Sequence, residues 1–143
     1  MTVTHLLLIH AAATLCMVGV IWFVQLVHYP LFQCVGSSSF SSYEQKNQRR
    51  TSWVVVPLMV TELVTAAALL FTELSGPSRA IAWIGTGLLL VIWISTALLQ
   101  LPLHRKLSAG FDARRVRLLI GSNWIRTVAW SARGLIALLL LQG

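Results

Sequence analysis

Four side chains able to do proton chemistry or to stabilise charge stand inside long apolar runs: His28, Glu62, Asn123 and Arg126. An ionisable group near the centre of a bilayer costs about 2.5–3.5 kcal/mol on insertion scales, so it is drawn to a protein interior where it finds partners. These residue types suit proton transfer to or from a hydrophobic molecule. His28 or Glu62 would act as base, with His104 as a further candidate, while Asn123 and Arg126 would donate to a developing phenolate or enolate. Gln25, Tyr29, Gln100, His104, Trp130 and Arg133 complete the set as candidate substrate contacts.

Spacing places these residues relative to one another. Arg126 and Arg133 are seven residues apart and share a helical face with Asn123 and Trp130. Glu62, near the middle of another apolar run, falls level with the zone between the two arginines and is expected to pair with one of them. Such a pair serves either as a staple that fixes helix register or as the charged floor of a site. Thr96, Gln100 and His104 follow at i, i+4 and i+8 along one side of a third run. Gln25, His28, Tyr29, Glu62, Gln100, His104, Asn123 and Arg126 all fall towards the basic connections, whereas the other half shows only His10, Thr14 and Thr86. A polar chamber opening to one side is the expected result.

No cofactor or metal is expected. His28, His104 and Glu62 form a conceivable ligand set, but no two histidines stand at ligand spacing on one helix. Asp112 is the only aspartate and sits where a helix would begin, so a serine–histidine–aspartate arrangement is not visible. Cys16 and Cys34 are too far apart along a helix to bridge and are expected as free thiols.

The elements that must hold these residues are read from hydropathy. The chain has 143 residues, 57% hydrophobic and 10% charged, with mean hydropathy +0.77. Soluble domains carry about a quarter charged residues, so lipid is the expected solvent. Four runs, at about 5–31, 53–71, 80–101 and 122–141, approach or exceed the roughly 20 residues that cross a hydrocarbon core, and in lipid such runs must be helical. The expected fold is all-α: a single domain, an up-down four-helix transmembrane bundle with short amphipathic helices on the cytoplasmic face. Ser37, Ser38 and Ser39 would cap one of these, with Phe40 and Tyr43 facing the lipid surface, and Asp112 would cap another. Glu73-Leu74-Ser75-Gly76-Pro77-Ser78 is a tight turn between the second and third runs. Ala11, Gly19, Ala66, Gly85 and Gly87 are expected to allow close packing.

The net charge of +7 does not indicate nucleic acid, because the basic residues cluster between apolar runs. Lys46, Arg49 and Arg50 lie in the first connection, and Arg105, Lys106, Arg114, Arg115 and Arg117 in the third, against Arg79 alone in the second. The positive-inside rule then puts both basic connections in the cytoplasm and both chain ends across the cell membrane. The same residues should attract anionic membrane lipid.

The stretch Asn123-Trp124-Ile125-Arg126-Thr127, followed by Trp130 and Arg133, resembles the last-helix signature of small four-span proteins of the anthrone-oxygenase-like family. The likeness in architecture covers the whole chain, and its sharp part is that one segment. The resemblance implies a four-helix membrane bundle and cofactor-free oxidation of a polycyclic phenolic substrate, reaching Asn123 and Arg126. Two function classes follow. One is a protein that binds a hydrophobic aromatic or quinone-like small molecule and acts on it by proton transfer or oxidation. The other is a non-enzymatic accessory subunit or small carrier, in a homo-oligomer or beside a partner membrane protein, whose polar residues serve assembly.

Overall fold

The computed structural model describes residues 2–74 and 76–142. It is helical throughout, with no strand among the described residues. Helix α1 spans Val3–Phe23, α2 Ser37–Leu70, α3 Gly76–Ser95, α4 Leu101–Leu107 and α5 Ala113–Leu140. Three helical stretches among these residues are long and apolar enough to cross a membrane: Val3–Cys34, Ser37–Leu70 and Ser78–Leu107. At about 1.5 Å per residue each is longer than the roughly 30 Å thickness of a hydrocarbon core. Helix α5 has length enough but carries Asn123, Arg126 and Arg133, all buried, along its inner face. Its outer face, with Ile125, Val128, Leu135 and Leu139, is exposed and apolar.

Helix α1 packs on α2 and α5, and α3 packs on the same two helices. The backbones of α2 and α5 thus stand diagonally apart, and only long side chains join them. Two glycines set close approaches. A methyl at Gly134 would lie 3.0 Å from Val18 Cγ2, and one at Gly85 would lie 3.1 Å from Ile136 Cγ2. Gly19 and Gly87 face open space, so they do not make the close contacts expected of them.

Two helices deform just ahead of a proline. Pro30 and Pro102 have no N–H, and each ring would strike the carbonyl four residues back. In both places the chain widens into a π-helical turn: Val24–His28, closed by Tyr29 N–H to the Val24 carbonyl, and Thr96–Gln100, closed by Leu101 N–H to the Thr96 carbonyl. A 3-10 turn, Pro30–Cys34, then leads to α2.

The short amphipathic helix expected in the first connection does not exist as a separate element. No glycine or proline interrupts the chain between Ser37 and Val56, so α2 runs unbroken through the basic segment and across Pro57. Phe40 is fully buried, edge-on to Phe32 and Phe111, rather than on a lipid-facing surface. Tyr43 packs edge-on to Phe32. The burial of an aromatic core pulled this segment inward. Asp112 does cap a helix, accepting from Arg114 and Arg115 N–H, but that helix is α5 itself. Of the expected turn between α2 and α3, Ser75 lies outside the described residues, and Gly76 and Pro77 already open α3. Cys16 and Cys34 are unbridged and exposed.

Candidate functional site

Both π-helical turns contribute to the wall of a cavity of about 250 Å³, close to the lower end of ligand-pocket sizes, about 300–1,000 Å³. Its body is apolar, formed by Met17, Ile21, Val24, Val55 and Met59 among others. Its polar wall holds five of the residues singled out by sequence: His28, Tyr29, Gln100, His104 and Arg126. π-Helical turns recur at functional sites because the inserted residue re-aims the side chains that follow it. Here one turn delivers His28 and Tyr29 to the cavity, and the other delivers Gln100 and, through α4, His104.

A hydrogen-bonded chain ends at this wall. Glu44 Oε1 lies 2.5 Å from His104 Nδ1, and His104 Nε2 lies 2.9 Å from the Tyr29 hydroxyl. Ionised Glu44 only accepts, so His104 carries its hydrogen on Nδ1 and its Nε2 accepts from Tyr29 O–H. Glu44 is fully buried and also accepts from Asn47 Nδ2 at 3.2 Å and Gln48 Nε2 at 3.0 Å. Those bonds fix its carboxylate, which fixes the imidazole tautomer. His28 Nε2 donates to Asn47 Oδ1 at 2.8 Å, which ties the second histidine to the same network. The Arg126 guanidinium lies beside the Tyr29 hydroxyl and 5.2 Å from the centre of the Trp130 ring.

The single eight-residue chamber expected from sequence is divided in three. Gln25 and Asn123 do not line the cavity. They bind one another behind it, Asn123 Nδ2 donating to Gln25 Oε1 at 2.9 Å, while Gln25 Nε2 donates to the Ile120 carbonyl at 3.2 Å. Glu62 is also away from the cavity wall. It pairs with Arg133 at 3.2 Å and not with Arg126, and it accepts from Trp130 Nε1 at 2.9 Å. Arg133 Nη1 donates onward to the Gly85 carbonyl, which the missing side chain at Gly85 leaves open. His10 binds Thr65 Oγ1 at 2.8 Å, far from His28 in sequence and partner.

The conceivable metal set is likewise dispersed: Glu62 belongs to Arg133, His28 to Asn47, and His104 to Glu44 and Tyr29. Among the described residues no three histidine, cysteine, aspartate or glutamate side chains converge.

Glu44, Asn47 and Gln48 are the site residues that sequence reasoning missed. They stand at i, i+3 and i+4, with Thr51 at i+7 continuing the stripe into the cavity wall. That inward polar stripe on a helix without breakers was the available signal. It was obscured by the neighbouring Lys46, Arg49 and Arg50, which mark the segment as a surface loop. No protein-family model, no curated protein and no solved structure matches this chain.

Proposed function

We propose that the protein spans the cell membrane four times as an up-down bundle, α5 being the fourth span, with its basic segments in the cytoplasm and both ends on the other side. In this reading the cavity takes a hydrophobic aromatic or quinone-like molecule from the lipid and moves a proton on it. The exposed apolar outer faces of all four long helices support the membrane placement, since a water-soluble monomer rarely presents so large an apolar surface. The observation that carries the functional reading is the Glu44–His104–Tyr29 chain ending on an otherwise apolar cavity beside Arg126.

The proton transfer balances within these residues. The acidic O–H or C–H of the bound molecule gives its proton to the Tyr29 oxygen as the Tyr29 proton passes to His104 Nε2. The resulting imidazolium is held by the Glu44 carboxylate, and the new oxyanion lies against Arg126. His104 is thus the base, with Glu44 its orienting partner. Asn123 and Glu62 act through packing, Asn123 by holding Gln25 in the π-helical turn that carries Tyr29. The resemblance of residues 123–127 to the anthrone-oxygenase-like signature agrees with a phenolic substrate.

A second reading has an observation of its own. The Glu62–Trp130–Arg133 network is closed and fully bonded, as expected of a non-enzymatic accessory subunit or carrier whose polar groups serve assembly. Gentle purification in detergent, followed by mass spectrometry of the organic extract, separates the two. A near-stoichiometric aromatic compound, lost in Tyr29→Phe with His104→Gln, supports the site. An extract without one, together with a stoichiometric membrane partner, would support assembly and defeat the cavity reading.

A further inference from the structure

Arg126 is a buried cation without an anion. It is 7% exposed, and it takes part in none of the ion pairs among the described residues. The chain has four acidic residues, and none is left for it. Glu44 is bonded to His104, Asn47 and Gln48, and Glu62 to Arg133 and Trp130. Asp112 caps α5, and Glu73 lies exposed in the connection after α2. Arg133, only two turns further along the same helix, shows how this fold treats a buried guanidinium that it neutralises itself. A cation kept in a low-dielectric interior without a counter-charge is expensive, and stacking on Trp130 offsets only part of that cost.

The unpartnered donors on the wall add a direction. Arg126 Nε is buried and has no hydrogen-bond partner, and Trp93 Nε1 is in the same condition. Both residues line the cavity, Trp93 from α3 and Arg126 from α5. Buried donors are nearly always paired in folded proteins, so two of them around one apolar cavity ask for an acceptor that the chain lacks. A way in is present at the cavity rim, where Ser52 and Val56 on α2 and Leu101 on α4 are exposed and also line it.

We infer that the cavity binds its ligand as a monoanion: an amphiphile whose anionic oxygen, carboxylate or phenolate, accepts from Arg126 and Trp93 while its apolar body lies over Met17 and Met59. The inference rests on the cavity being a ligand site and adds the charge and orientation of the ligand. The state held is the deprotonated one, either the phenolate left once the Tyr29–His104 relay has taken its proton or a carboxylate whose neighbouring C–H that relay addresses. The apolar body enters sideways between α2 and α4, and the oxygen meets Arg126 at the inner end. A neutral ketone of the same shape offers an acceptor but leaves the guanidinium charge uncompensated. Charge should therefore separate the two by much more than shape does.

The test uses the full chain in lipid nanodiscs, with empty nanodiscs correcting for partition into lipid. The probes are 2-naphthoate for a carboxylate, pentachlorophenolate for a phenolate and 2-acetylnaphthalene as the neutral ketone, titrated by quenching of tryptophan fluorescence at neutral pH. At least one anion should bind 10-fold or more tightly than the ketone, and which one identifies the acid. Arg126→Gln should remove that preference by weakening the anion alone, with ketone affinity held within about twofold. Equal binding of the ketone and both anions to the unaltered protein overturns the inference while leaving the cavity as an aromatic site. Binding of none of the three overturns both. The comparison on the unaltered chain stands even where Arg126→Gln does not fold.

Discussion

Glu62 on α2 and Arg133 on α5 meet at 3.2 Å across the diagonal of the helix assembly, with both side chains shut away from the outer surface. No backbone contact joins these two helices among the described residues, so the pair and the Trp130 indole that shares the carboxylate hold the diagonal together. Removing one partner leaves the other charge buried and uncompensated, which typically costs about 3–5 kcal/mol, far more than the pair contributes relative to a well-packed apolar substitute. Glu62→Gln or Arg133→Met should each lower stability by about that amount, and the two together should recover a large part of it. Reversible unfolding in mixed detergent micelles measures all three. Single losses under about 1 kcal/mol would show that the pair is not a structural staple.

The contrast between Gly134 and Gly19 tests the packing of α1 on α5. A methyl at Gly134 would press on Val18 Cγ2 at 3.0 Å and Leu15 Cδ2 at 3.6 Å, whereas one at Gly19 meets nothing within 4 Å. Gly134→Ala should cost about 1–3 kcal/mol through overpacking, and Val18→Ala should relieve part of that. Gly19→Ala should be neutral or stabilising by about 0.5–1 kcal/mol, because it removes backbone freedom at no steric cost. The same unfolding titration reads the difference, and equal effects at the two positions would contradict the close approach.

Asp112 gives a dependence on pH. The Arg115 backbone N–H first, then that of Arg114, with the charges of both side chains, holds its carboxyl below the ordinary carboxylate range. A carboxylate whose pKa is lower folded than unfolded stabilises the fold fully above the unfolded value, and that stabilisation fades as pH falls through the folded value. Asp112→Asn keeps a capping oxygen but cannot titrate. The stability difference between the two proteins should therefore be constant at neutral pH and shrink only in the acid range below the ordinary carboxylate value. A difference that instead grows on acidification would reverse the assigned sign.

Much of the architecture was legible because apolar length is a one-dimensional property. The helical stretches Val3–Cys34 and Ser78–Leu107 contain the runs expected at 5–31 and 80–101, and Ser37–Leu70 holds all but the last residue of the run expected at 53–71. The inward placement of Gln25, Glu62, Gln100, Asn123, Arg126 and Arg133 also followed, since a costly side chain has only one favourable direction to point. Asp112 as a helix cap followed from its local chemistry.

What the residues alone determined is therefore which groups lipid or an apolar core would reject, and roughly at what depth. Which of those groups meet was decided only in three dimensions. Arg126 and Arg133 share a face, and the seven-residue offset between them decides that one finds Glu62 and the other lines a cavity. Two π-helical turns each insert one residue into the helical count, so face assignments drawn through Pro30 and Pro102 drift by about a quarter turn. Glu44 reads as part of a basic surface segment until α2 is seen to continue through it and turn that carboxylate onto His104. Periodicity reports the direction of a side chain from its own helix axis. It carries no information about how neighbouring axes are rotated, and a site built from four helices depends on those rotations.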